Sequence, residues 1–226
     1  PARIGVTGRS GGGTQAAYVA ALDDRVLAAA PENYITSFRR LWETRGPQDA
    51  EQNFYHGIAR GLDHGDLLLA RAPRRTLLIA TTRDIFSIQG TRETYAAMHP
   101  AFAALGGSEA LQLVEDDARH ESTLRNREAL YRFFQDALNL PGDPRDQKIT
   151  PIPVDSLRVS PTGLVTTSFE GETTFTRARD AARENTVYLR AARGSGAGHI
   201  QRAILRARQL SGYEAPTANA DPIFMG

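Results

Sequence analysis

Short apolar runs alternating with amphipathic stretches set the rhythm of the first two thirds of the chain. Arg3 to Thr7 reads as a short buried strand that runs into Gly8-Arg9-Ser10-Gly11-Gly12-Gly13, and an alanine-rich helix pattern follows from Thr14 to Leu22. Val26 to Ala30 is a second apolar run, which Pro31 is expected to stop. Strand, tight turn, helix, strand is the order of a βαβ unit in a parallel sheet. Residues 33 to 72 carry no strand pattern. They divide into helical pieces at Ile35 to Glu43, Ala50 to Ala59 and Leu67 to Ala70, with breaks at Gly46-Pro47 and from Gly57 to Gly65. Thr76 to Thr81 is the strongest strand signal in the chain. A helix from Thr91 to Leu105 follows, closed by Gly106-Gly107 in the manner of a C-cap. Leu111 to Val114 is the last buried strand and Glu128 to Leu138 the last amphipathic helix of this part.

Beyond it the texture changes. Pro141 to Pro153 holds four prolines and reads as a linker. The chain therefore divides into a domain over residues 1–142, a connection over 143–154 and a small α+β segment over 155–226 that could begin another module. In that segment Leu157 to Ser160 and Leu164 to Phe169 form an expected hairpin about Pro161-Thr162-Gly163. Two helical patterns follow, Thr176 to Ala192 and His199 to Leu210.

Composition removes whole classes of chemistry. The 226 residues contain no cysteine, which excludes disulfides, thiolate metal sites and cysteine nucleophiles. A net charge of +1, from 27 basic and 26 acidic residues, provides no global field for nucleic acid or an anionic membrane. Lys148 is the sole lysine and lies in the proline-rich stretch, so neither a Schiff base nor a phosphate loop is in place. No run approaches the roughly 20 apolar residues that span a bilayer. The arginine excess between Arg177 and Arg208 has only Tyr188 interleaved, not an aromatic stacking set, and reads as a solvated helix face. No cofactor or metal is expected. Asp63-His64-Gly65-Asp66 is read as a turn or helix cap because no third ligand stands at a defined spacing.

Gly8-Arg9-Ser10-Gly11-Gly12 matches the G-x-S-x-G nucleophile elbow. A serine at a sharp strand-to-helix turn must take strained backbone angles, and the turn is so close-packed that glycine is needed two residues to either side, here Gly8 and Gly12. The following helix then points its first N–H groups at a developing oxyanion, Gly11 giving the first donor. A serine nucleophile needs a base, and the base an orienting carboxylate. In this arrangement acid and then histidine follow the serine in chain order. Asp84 lies just past the strongest strand and His120 in the loop after the last one. Asp116 and Asp117 are alternatives for the acid, with less reach because they stand so near His120 in sequence. His56, His64, His99 and His199 are poorly placed for the base. Arg9, Tyr34 and Phe86 are the candidates for contact with substrate. Tyr34, Phe38, Trp42, Phe54 and Tyr55 either form an aromatic wall over the pocket or simply pack the 33–72 segment onto the sheet.

The segments Arg3 to Thr14, Leu22 to Val26, Gly46 to Asn53, Gly61 to His64 and Gly90 to Thr94 resemble bacterial α/β-hydrolases related to acetyl xylan esterases and prolyl oligopeptidases. The resemblance covers about residues 1–142. It implies the C-terminal half of a hydrolase sheet with a cap insertion over about 33–72, and a serine esterase with Ser10, Asp84 and His120 as its triad. The substrate would be a small-molecule or carbohydrate ester, such as acetyl groups on plant polysaccharide, which would place the protein in the periplasm or outside the cell. The family has half a sheet before the elbow, whereas nine residues precede Ser10 here. The expectation is therefore a fragment whose second oxyanion donor lies upstream of Pro1 and which alone is poorly soluble or oligomeric with little esterase activity. Two other functions stay open: a peptidase of the prolyl oligopeptidase type, and a non-catalytic interaction unit derived from a hydrolase.

Overall fold

The computed structural model describes residues 3–44, 49–169, 171–193 and 196–215. The expected Gly46-Pro47 break, residues 194–195 of the second glycine-rich stretch and the tail from Pro216 lie outside them. Two compact units meet at Ile149/Thr150, within the proline-rich stretch.

The first unit is a parallel sheet of four strands in sequence order: β1 (Ile4–Arg9), β2 (Val26–Glu32), β3 (Arg75–Thr81) and β4 (Leu111–Asp116). Parallel neighbours need long crossovers, and helices supply them. These are α1 (Gly11–Leu22) after β1, α2 (Phe38–Thr44) and α3 (His64–Leu69) after β2, and α4 (Ile88–Ala104) after β3, while α5 (Leu124–Leu138) follows the last strand. β2 and β3 are buried almost throughout, which is why they read as unbroken apolar runs. Ala28, Ala30, Leu77 and Ile79 face Phe133 and Leu138 of α5, while Ala29 meets Ala20 of α1. The alanines of β2 leave room for close helix approach on both faces.

β2 does not end at Pro31, as the sequence suggested, but continues to Glu32. Proline has no N–H to donate, and pairing with β3 lapses at Ala30 and Pro31 and resumes at Glu32 opposite Ile79. On the other side Gly8 and Arg9 stay in register with Pro31 and Glu32, so the strand survives.

The 33–72 segment is less helical than its pattern implied. Ala50 to Ala59 forms two single turns, Ala50–Gln52 and Ile58–Arg60, because Asn53 is extended and His56 is left-handed with φ 57°. Its anchor is buried. Thr91 and Thr94 of α4 donate hydroxyl bonds to the Ile35 and Thr36 carbonyls at 2.6 and 2.7 Å. His64 Nδ1 accepts the Thr36 N–H at 3.1 Å while its ring stacks on Tyr34 at 4.6 Å and meets Phe38 edge-on at 4.7 Å. Asp63 and Asp66 form a capping box at the start of α3, so this run is a helix cap.

Burial drives the His64 pKa down to about 4, with Asp63 opposing in part. The imidazole is therefore neutral in the folded state, whereas an unfolded histidine takes up a proton near pH 6.5. The unfolded state binds more protons between these values, so stability is full above about pH 6.5 and falls as pH drops toward 4, by up to about 1.4 kcal/mol per pH unit. The thermal midpoint is expected to fall between pH 7 and pH 5. His64→Asn keeps an acceptor near the Thr36 N–H without a titrating group, and its drop over the same interval should be clearly smaller. An equal drop in both proteins would assign the acid sensitivity elsewhere.

In the second unit the expected hairpin is absent: among its described residues there is no strand. Val154–Leu157 is a single 3₁₀ turn, and Val165–Ser168 a short helix, α6. Hydroxyl side chains decide this locally. Ser168 Oγ accepts the Thr162 N–H at 3.0 Å, and Thr162 Oγ1 donates to the Leu164 carbonyl at 3.1 Å, bonds that compete with a ladder. α7 (Thr174–Arg193) and α8 (Gly196–Ser211) follow, and α7 carries its charge on its surface, with Asp180 pairing with Arg179 and Arg183.

Candidate active site

All four strands run the same way, so the residues that follow them gather along one edge of the sheet, where open α/β sheets bind their ligands. Ser10 joins β1 to α1 with φ 58° and ψ −123°, a positive-φ conformation that side chains rarely adopt. Two backbone bonds hold it there: its N–H donates to the Glu32 carbonyl at 3.0 Å, and its own carbonyl accepts from Thr14 N–H at 2.9 Å. That second bond is the first of the α1 ladder, so the N–H groups of Gly11, Gly12 and Gly13 have no partner within the helix. Gly8 is crowded as expected, since a Cβ there would collide with the Gly12 backbone. A Cβ on Gly12 itself would meet nothing, whereas one on Gly13 would press on the Glu32 carbonyl. The tight pair is thus Gly8 and Gly13, because the helix packs on β2 through its third residue.

Asp84 follows β3 by three residues, and its side chain is 2% exposed. Thr81 Oγ1 donates to Oδ2 at 3.1 Å, and Phe86 N–H donates to Oδ1 at 3.1 Å, which fixes the carboxylate plane. His120, four residues past β4, brings Nδ1 to 2.8 Å from Asp84 Oδ1. With Nδ1 as donor, Nε2 carries the lone pair and can accept a proton. The imidazole is partly exposed, at 27%. The rival acids are engaged elsewhere: Asp117 accepts from Thr82 Oγ1 at 2.7 Å and Arg83 Nε at 2.8 Å, bonds that hold its carboxyl below the usual range, and Asp116 Oδ1 accepts the Asp117 N–H.

The three residues expected to touch substrate fare differently. Tyr34 is 2% exposed, with its hydroxyl donating to the Gln52 carbonyl at 3.3 Å, so it is a core residue and not a substrate contact. Phe86 is likewise buried, with its ring 5.7 Å from His120 and 6.0 Å from Tyr34. It packs against the imidazole from the core side. Aromatic type alone does not say which face of a segment turns inward. Arg9 is exposed, and its Nη1 donates to the His120 carbonyl at 3.1 Å. Of the aromatic cluster, Phe38 is buried while Trp42 and Tyr55 are exposed.

Two residues at this edge escaped the sequence reading. Glu32 ends β2 opposite Arg9 and is buried, with Oε1 unpartnered among the described residues. Burial pushes its carboxyl up, against the lowering influence of Ser122, Arg9, Arg127 and His120. Asn33, next in sequence, is left-handed at φ 51° and donates from Nδ2 to the Glu121 carbonyl at 3.2 Å. The available signal was a polar pair ending an apolar run, directly across from the elbow. No group of three or more potential metal ligands occurs among the described residues. No described helix is long and apolar enough to cross a membrane.

No family model matches the sequence, and no relative is found among curated proteins. Solved structures do match. A carbohydrate esterase family 15 glucuronoyl esterase from Caldicellulosiruptor kristjansonii superposes with a TM-score of 0.50 at 20% identity, covering 66% of this chain and 47% of that one. The glucuronoyl esterase catalytic domain from Hypocrea jecorina gives 0.51 at 22% identity, covering 64% and 47%. The chain spans about half the length of these structures. At this identity the likeness is one of fold: a parallel sheet with flanking helices of the α/β-hydrolase type that these ester hydrolases share.

Proposed function

We propose that this chain carries the catalytic residues of a serine hydrolase that cleaves carboxylic esters through a covalent acyl-enzyme. The observation that carries the proposal is the convergence, at one sheet edge, of a serine strained at positive φ in a strand-to-helix turn and a histidine bonded at 2.8 Å to a buried aspartate. Ser10 Oγ attacks the ester carbonyl while His120 Nε2 takes its proton, and the imidazolium formed is held by Asp84. The negative charge on the carbonyl oxygen is met by the Gly11 N–H at the positive end of α1. The imidazolium then gives its proton to the departing alkoxide, leaving the acyl group on Ser10. Water, deprotonated by the same imidazole, releases the acid. Acyl esters of carbohydrate, including acetyl groups on polysaccharide, are the substrate class that agrees with the resemblance. The names of the two similar structures add esters of glucuronic acid as a second type to assay.

The test is a substrate panel run on the protein at its gene-encoded length: p-nitrophenyl acetate, acetylated xylan, methyl glucuronate and a proline-containing peptide. Hydrolysis of one or more esters, with the peptide left intact, is expected. Cleavage of the peptide alone would replace the esterase reading with a peptidase, and inertness toward all four would favour a non-catalytic unit.

A further inference from the structure

The loop that carries His120 has little regular backbone pairing, yet three of its consecutive carbonyls are each held by a side chain from a different element. Arg9, at the end of β1, donates from Nη1 to the His120 carbonyl at 3.1 Å. Asn33, just past β2, donates from Nδ2 to the Glu121 carbonyl at 3.2 Å. Arg127, in the first turn of α5, donates from Nη1 to the Ser122 carbonyl at 2.7 Å, and its guanidinium is steadied in turn by Asp146 at 2.5 and 3.0 Å. The Arg127 bond is local, reaching back only five residues. The other two are not: they tie the loop to the ends of the two strands that flank Ser10, across 111 and 88 residues of chain. Arg9 is the residue before Ser10, so one short stretch of backbone carries both the hydroxyl and the tether of the imidazole's own residue.

Loop atoms without regular pairing sample wider positions than strand atoms, and a shift of about 1 Å between reacting groups can cost on the order of 10²-fold in rate. Asn33 is suited to its place because its left-handed backbone is one that asparagine tolerates better than most residues, and its buried amide finds the Glu121 carbonyl as a partner. We infer that Arg9 and Asn33 are positioning residues for His120, fixing the imidazole relative to the Ser10 elbow through the carbonyls of residues 120 and 121. The geometric part of this stands on the hydrogen bonds alone; its consequence for turnover rests on the esterase reading.

Arg9→Met removes the donor from an exposed position, and Asn33→Gly removes the amide while keeping the left-handed backbone. Each is expected to lower kcat for ester hydrolysis about tenfold with KM within about twofold, and the pair by about 10²-fold. Arg9→Lys, which retains a donor, should recover most of the loss. A second readout is independent of activity. The far-downfield proton resonance of His120 Nδ1–H, bonded to Asp84, should exchange with water on the order of tenfold faster in Arg9→Met and in Asn33→Gly than in the parent. If both variants fold and leave kcat and this exchange rate unchanged, the inference is overturned. A raised KM at constant kcat would overturn it too, and would make Arg9 a substrate contact. Faster exchange in a protein whose turnover survives Ser10→Ala would support the positioning role while removing the esterase reading.

Discussion

Ser10→Ala is expected to lower ester turnover on the order of 10⁴-fold or more, down to the level left by binding and oxyanion contacts. The size follows from what the hydroxyl does. In the proposed mechanism it is the atom that bonds to the acyl group, and no cysteine exists in the chain to take its place. The substitution adds no bulk to a position already crowded around Gly8 and Gly13. Ser10 is held in its positive-φ conformation by two backbone bonds that alanine preserves, and alanine carries the same Cβ as serine, so the strain at φ 58° is unchanged and the fold should persist. Unchanged melting with turnover abolished is the expected pair of results, read by thermal unfolding and p-nitrophenyl acetate hydrolysis on one preparation.

Asp84→Asn should cost about 10⁴ in turnover, by analogy with the serine protease triad, because the amide can present its N–H to Nδ1 and so favour the wrong tautomer. Nε2 would then carry the proton and could not accept one from Ser10. The carboxylate also accepts from Thr81 and Phe86 N–H, so the amide must satisfy these partners and the imidazole at once. Asp116→Asn and Asp117→Asn should each cost less than about tenfold, since their carboxylates serve the Asp117 N–H, Thr82 and Arg83. A reversed ranking in kcat would move the acid into the His120 loop.

The strands were legible because β2 and β3 are covered on both faces and therefore read as plain apolar runs. The path of β2 beyond Pro31 was not, since a proline in a strand is tolerated only where the neighbouring register supplies the remaining bonds, a fact of pairing and not of local sequence. The hairpin expected at Leu157 to Phe169 failed for the opposite reason. Its threonines and serine bond within the segment, and no neighbouring strand is present among the described residues to compete.

At the site, the chain order of Ser10, Asp84 and His120 could be read because each follows a recognisable strand. Tyr34 and Phe86 are candidate substrate contacts in the sequence, and both are buried in the structure. The tethers from Arg9 and Asn33 join loops more than 80 residues apart, and nothing in the spacing of an isolated arginine or asparagine announces such a contact.

Activation of Ser10 as a nucleophile by His120 can be measured directly. Incubation with a fluorophosphonate followed by intact-mass and peptide mapping addresses it without any assumption about the natural ester. One adduct per chain is expected, on Ser10, absent in Ser10→Ala and formed at least about 10²-fold more slowly in His120→Ala. An unlabelled Ser10 in a protein that nevertheless hydrolyses esters, or labelling at an unchanged rate after loss of His120, would contradict it.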